Sequence, residues 1–165
     1  MFVNKKWFEW RDIMGKVYIF SIIMIMFILS GCSSKTLNIS DLEPSTIVVN
    51  YDNINATTKE DIITSSKENI TLVLENKTEY EYFYGLYFDL ELELDNNWYK
   101  IPFDKNPEFK EIGVRLNRNS TNEEKIELSK YFTNLPEGKY RITKSLYLDG
   151  KKIDVAAQFE IKNNE

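Results

Sequence analysis

Histidine is absent from the 165 residues, and cysteine occurs once. Without histidine the chain lacks the usual general base near neutral pH and the commonest metal ligand. Serine–histidine hydrolysis is excluded, and no Gly-x-Ser-x-Gly elbow occurs; a Ser–Lys pair is the arrangement that composition leaves open. One cysteine cannot close an internal disulfide, so no disulfide scaffold holds the fold. Glycine and proline are also scarce, at six and four residues. No glycine-rich phosphate loop is present, and no cofactor is implied. Basic charge is short as well: Lys and Arg total 21 against 26 Asp and Glu, for a net charge of −5. Residues 1–31 hold four of those bases and two of the acids, so the remainder carries 17 bases against 24 acids, a net of −7. Such a chain is a poor partner for nucleic acid, whose phosphates need Lys and Arg. It would also be repelled by anionic lipid, so residence at a membrane requires an anchor rather than a basic face.

The sequence is rich in aromatic residues, with ten Tyr, ten Phe and three Trp. With 42 % hydrophobic residues there is material for a packed core, and disorder throughout is excluded. Lys5, Lys6, Arg11 and Lys16 precede Val17–Leu29, thirteen residues without a charge. That length suits the apolar core of an export signal and is short of the roughly 20 residues a spanning helix needs. The segment ends in Leu29-Ser30-Gly31-Cys32, which resembles the lipobox of bacterial lipoproteins. The resemblance implies cleavage after Gly31, with Leu29, Ser30 and Gly31 recognised by the signal peptidase. It also implies a diacylglyceryl thioether on Cys32, which would place the chain on the extracytoplasmic face of the bacterial membrane. The alternative is an uncleaved anchor with an incidental cysteine. The n-region begins at Met1 or at Met14. On this reading residues 1–31 are the signal peptide, 32–45 the lipidated cysteine and a polar tether, and 46–165 one folded domain.

Within that domain the apolar pattern has a period of two. Thr46–Tyr51 is a short β-like run, and Thr58-Lys59-Glu60-Asp61 has the form of a cap for a short helix. Ile70, Leu72 and Leu74 share one parity; so do Phe88, Leu90, Leu92 and Leu94, opposite a solvated carboxylate face of Asp89, Glu91 and Glu93. Asp95-Asn96-Asn97 marks a hairpin, Pro102–Glu111 a loop, and Ile112–Leu116 and Glu123–Leu128 further strands. In the last third, Tyr140, Ile142, Leu146 and Leu148 face Ile153, Val155, Ala157, Phe159 and Ile161 across Asp149-Gly150, a pair suited to a type I′ turn. Seven or eight short strands and no long helix predict an all-β antiparallel sandwich. Leu135-Pro136-Glu137-Gly138-Lys139-Tyr140 has the form of a tyrosine corner. Together with Asn76-Lys77-Thr78, Tyr82-Phe83-Tyr84-Gly85, Phe88, Leu90-Glu91, Trp98-Tyr99, Arg141-Ile142 and Phe159, it resembles the bacterial Ig-like domain of small Gram-positive envelope lipoproteins, over residues 69–162. The resemblance implies an immunoglobulin-like β-sandwich outside the cytoplasm and assigns no catalytic residue.

Four clusters are candidates for chemistry or recognition. Glu91 and Glu93 share a strand face about 6.5–7 Å apart, near the lower separation of inverting glycosidases; a solvated edge is the plainer reading. Asp52, Asn53 and Asn55, or Asp95, Asn96 and Asn97, offer oxygens to Ca²⁺ but lack EF-hand spacing, and suit turns better. Tyr82, Tyr84 and Tyr87 in the aromatic run, with Arg141 and Lys144, form a possible surface for a protein or glycan of the envelope. The loop Pro102–Glu111 is the segment an inhibitor-like domain would present to a protease. The expected function is a non-enzymatic, lipid-anchored binding or regulatory module.

Overall fold

The computed structural model describes residue 40 and residues 42–49, 52–64 and 69–162. The proposed signal segment, Leu29-Ser30-Gly31 and Cys32 lie outside the described residues. Eleven strands are described: β1 (Glu43–Pro44), β2 (Ile54–Thr58), β3 (Ile62–Ile63), β4 (Asn69–Asn76), β5 (Tyr82–Tyr84), β6 (Asp89–Leu94), β7 (Asn97–Lys100), β8 (Val114–Leu116), β9 (Ser120–Glu127), β10 (Gly138–Leu148) and β11 (Lys151–Ile161). A short 3-10 turn, Leu128–Lys130, follows β9. They form two sheets: an eight-stranded one ordered β1-β7-β6-β10-β11-β3, with β5 on β10 and β8 on β5, and a three-stranded one ordered β2-β4-β9. The all-β antiparallel sandwich expected from the periodicity is the architecture observed.

The period of two places the core. Ile70, Leu72, Leu74 and Ile126 from the small sheet meet Leu90, Leu92, Leu116, Tyr140, Ile142, Leu146, Val155 and Phe159 from the large one, all buried. Each such Leu or Ile contributes about 1.5–3 kcal/mol by leaving water. The β10–β11 hairpin is in unbroken register from Gly138↔Ile161 to Leu148↔Lys151. Asp149 and Gly150 both have positive φ, 49° and 76°, as a type I′ turn requires. Asp95 and Asn96, at 50° and 60°, make the same turn between β6 and β7. Tyr140 is fully buried, and its hydroxyl donates to the Pro136 carbonyl at 2.6 Å, so the tyrosine corner is formed. Asn76 is buried with both amide functions used. Its Nδ2 donates to Tyr80 O and Asn117 O, each at 2.8 Å, and its Oδ1 accepts from Thr78 N at 2.9 Å.

Three local expectations are corrected. The run Thr46–Val49 is not a strand; pairing occurs earlier, where Glu43 and Pro44 lie against Lys100 and Tyr99. The fold therefore reaches into the stretch read as tether, and Leu42 is in the core. Thr58–Asp61 caps no helix. Thr58 ends β2, and Ile62-Ile63 crosses to the large sheet to pair in parallel with Glu160-Ile161. Glu60 instead accepts from Thr71 N at 2.6 Å and Thr71 Oγ1 at 2.9 Å. Burial disfavours its charge, but these bonds outweigh it and hold the carboxyl below its usual range.

Candidate functional site

Strands β5 and β6 lie on the same side of β10, end to end. Tyr84 pairs with Leu146 and Asp89 with Thr143, so five steps on one side oppose three on the other. The two surplus residues fall in Gly85–Phe88, which bulges out of the ladder. A surplus of two preserves side-chain parity. Tyr82, Tyr84 and Phe88 therefore all point inward at 3 %, 4 % and 2 % exposure, while Tyr80, Phe83, Tyr87 and Tyr147 remain exposed.

At this break the aromatic residues assemble. Phe88 meets Phe109 at 5.8 Å and Tyr131 at 5.2 Å, edge to face. Phe109 stacks on Tyr131 at 5.4 Å, and Phe103 stacks on Phe132 at 5.1 Å. Tyr87 closes the cluster against Phe109 at 5.3 Å and Phe103 at 6.1 Å. Aromatic pairs add about 0.5–1.5 kcal/mol each beyond area burial, so Phe103 and Phe109 hold the loop Pro102–Glu111 at both ends. Asp104 N donates to Tyr131 O at 3.0 Å, and Thr133 Oγ1 donates to Asp104 Oδ2 at 2.6 Å. Asp104, Lys105, Asn106 and Glu108 stay exposed.

Beside this cluster runs an open groove of about 710 Å³. Buried Phe88 lies at its base with Leu86, Phe109 and Tyr131; one wall is Glu108-Phe109-Lys110 and the other is Glu124–Glu127 of β9. The groove combines apolar and aromatic side chains with the charged Glu108, Lys110, Glu124, Lys125, Glu127 and Lys130, a more polar lining than most small-molecule sites have, and its volume is within the usual range of ligand sites.

The structure separates the five side chains expected to share a surface. Only Tyr87 is on the surface. Its hydroxyl donates to Asp89 Oδ1 at 2.6 Å and accepts from Lys100 Nζ at 3.3 Å. Burial and the Asp89 charge push that phenol up. Tyr82 and Tyr84 belong to the core because the strand's even positions face the second sheet. Lys144 has the same parity as Tyr140, Ile142 and Leu146 and points into the sandwich, with its side chain 1 % exposed. Its Nζ lies 2.9 Å and 2.8 Å from the two oxygens of Glu124, across the sheet interface, and 5.5 Å from the Tyr84 ring centre. Burial lowers the Lys144 pKa, and the Glu124 charge opposes it. Burial also raises the Tyr84 phenol, against a bond from Asn122 Nδ2 at 3.2 Å.

Arg141 points to the opposite face of the sheet and is also buried. Its Nε donates to Glu91 Oε2 at 2.6 Å, its Nη2 to Ser45 Oγ at 3.2 Å, and its guanidinium stacks on Trp98 at 4.5 Å. Ser45 Oγ in turn donates to Glu91 Oε1 at 2.5 Å. The expected solvated carboxylate row is thus a row of ion pairs: Asp89 with Lys100, Glu91 with Arg141 and Glu93 with Lys139. Glu91 is covered by the segment after β1 and neutralised, so it forms no open glycosidase pair with Glu93. Asp95 and Asn96 form the β6–β7 turn. No group of three or more His, Cys, Asp or Glu suited to a metal occurs among the described residues. Sequence reasoning missed Phe88, Phe109 and Tyr131 as a site. The available signal was the aromatic pair Phe103 and Phe109 framing a loop, together with aromatic Tyr131-Phe132 after β9.

Comparison with curated proteins gives no match. The model of the bacterial Ig-like domain matches residues 50–160, two thirds of the chain, on the same strands that build the sandwich and its groove. On that match and that architecture, the chain belongs to the bacterial Ig-like domain family.

Proposed function

We propose that the chain is a non-enzymatic binding or regulatory module of the bacterial envelope, lipid-anchored through Cys32 and facing outward, which recognises a protein or glycan through the groove at Phe88. The observation that supports recognition is the groove itself: an aromatic base fixed by ring stacking, with charged walls, beside a loop held at both ends. A site held in its binding geometry loses less entropy on association. The anchor rests on Leu29-Ser30-Gly31-Cys32 after an apolar run. Two acyl chains hold a protein stably where one is marginal.

The test has two parts. Metabolic labelling with a fatty acid should mark wild-type protein and shorten it at Gly31, and Cys32→Ala should be neither labelled nor processed. A mutant that fractionates and migrates as the wild type does would sink the anchor. Cross-linking on intact cells should then give one dominant product, lost in Lys110→Glu/Lys125→Glu. A product indifferent to those reversals would remove the groove from the reading.

The fixed loop supports a second reading, an inhibitor-like domain with Lys105 presented to a protease. Inhibition of a trypsin-like enzyme that is lost in Lys105→Ala would favour it, and absence of inhibition across a serine-protease panel would refute it.

A further inference from the structure

The walls of the groove at Phe88 are unusual in one respect. Side chains of a strand alternate between its two faces, so a cleft lying over one face touches every second residue. This groove touches Glu124, Lys125, Ile126 and Glu127 without a skip, and opposite them Glu108, Phe109 and Lys110. It is bounded on one side by the edge of β9 and on the other by the loop residues Glu108–Lys110, and so has the form of a slot beside a strand edge.

The hydrogen-bond direction agrees. Strand β9 lies at the end of the small sheet, paired on one side with β4. Thr71 of β4 turns both its main-chain groups away from β9: its N–H donates to Glu60, and its carbonyl accepts from Lys59 N at 3.0 Å. Its register mate is Lys125. In an antiparallel ladder the residues of such a non-bonded pair both direct N–H and C=O outward. Lys125 therefore aims its main-chain donor and acceptor across the free edge, and the period of two assigns the same to Glu127. The first half of β9 is approached by β8, with Asn122 Nδ2 on Arg115 O at 2.8 Å. The open stretch is thus Glu124–Glu127, about 13 Å at 3.3 Å per residue.

Charge selects the occupant. Glu124 is neutralised by Lys144 and Glu127 by Lys130, at 2.8 Å each. Among the described residues no ion pair engages Lys110, Lys125 or Glu108, which leaves a surplus positive charge on the rim of an acidic chain. We propose that the groove takes an extended peptide segment of a protein partner as an added strand on β9. Its main chain bonds Lys125, its apolar side chains meet the half-buried Phe109 and Tyr131, and its acidic side chains face Lys110 and Lys125. Strand addition is an established mode of peptide recognition, in which backbone bonds supply affinity and alternate side chains supply specificity. The proposal rests on the groove being the recognition site and names the ligand class for it.

The test uses the full chain in lipid nanodiscs and a phage-displayed library of random dodecapeptides as the probe. Enriched peptides should alternate apolar and acidic residues and bind at micromolar strength. On binding they should slow amide hydrogen exchange at Lys125 and Glu127. Lys125→Ala keeps the N–H and should lose a few-fold in affinity; Lys125→Pro removes the N–H on the free edge, where proline is tolerated, and should lose at least tenfold. N-methylation of alternate peptide residues should lose as much with the protein unchanged, so the result survives a proline variant that fails to fold. Peptides that bind without protecting Lys125, tolerate N-methylation and are lost in Lys110→Glu would overturn strand addition while keeping the groove. Peptides that protect only residues outside the groove would overturn both, and so would a library that yields no binder.

Discussion

The Lys144–Glu124 pair offers a quantitative test of how the sandwich is held together. The perturbation is Glu124→Gln, which keeps the shape and removes the charge facing an ammonium whose side chain is 1 % exposed. Removing one partner of a buried pair costs about 3–5 kcal/mol, because the remaining charge stays desolvated. For a domain of ordinary stability, about 5–15 kcal/mol, that is a large fraction of the total. With a urea slope of about 1–3 kcal/mol/M, the midpoint should fall by roughly 2 M in unfolding followed by intrinsic fluorescence. The pH dependence gives the loss its signature. Burial lowers the folded-state pKa of Lys144 below the free value of 10.5, and removal of Glu124 takes away the influence that opposed it. A depressed lysine binds its proton more weakly in the folded state, so stability rises with pH up to 10.5. The gap between Glu124→Gln and wild type should therefore narrow as pH rises toward 10. Replacing both residues, Lys144→Met with Glu124→Leu, should restore stability to within about 1 kcal/mol of wild type, since apolar substitutes avoid the desolvation cost. A single-mutant loss under about 1 kcal/mol, independent of pH, would be the behaviour of an exposed pair and would refute the reasoning.

Two further outcomes follow from the fold. Tyr140→Phe removes the bond to Pro136 O and should cost about 1–2 kcal/mol. Burial raises the Tyr140 phenol above its free value of 10.0, so the stability linked to that proton is complete below pH 10 and is lost as pH climbs above it; denaturation at pH 9 and 11 should show wild type, but not the Phe variant, losing that increment. Asn96→Gly places glycine where φ is 60° in the β6–β7 turn. It should stabilise by about 0.5 kcal/mol, raising Tm by a few degrees in calorimetry, and a lower Tm would contradict the I′ assignment.

Strand positions and both tight turns were legible because they are local. Alternation along Ile70–Leu74 or Ile153–Ile161 needs no knowledge of the partner strand, and Asp149-Gly150 carries its own conformational requirement. Partners distant in sequence were not legible. Arg141, Lys144 and Glu91 read as surface residues because charge ordinarily implies solvent. Their burial depends on Ser45, Glu124 and Trp98, which lie 20 to 96 positions away from the residue each serves. Lys144 did share the core parity of Ile142 and Leu146, and its charge overrode that signal. The groove was illegible for a related reason: it arises where β5 and β6 fail to join, a property of register on β10 that neither strand encodes alone.

The two-residue strand β3 bears on how the chain reaches this structure. Ile62 and Ile63 pair with Glu160 and Ile161, and Thr58 Oγ1 reaches Gln158 O, 100 positions along. Closing such long loops is slow, and topologies dominated by them fold in milliseconds to seconds. The β10–β11 hairpin, joined by two residues like β6–β7, is able to form early once its residues are present; β3 waits for it. A chain delivered amino-terminus first can therefore pair β2 with β4, β1 with β7 and β4 with β9 as each arrives, but it holds β3 without a partner until β11 has followed, so the strand that links its early residues to β11 is seated at the end of delivery.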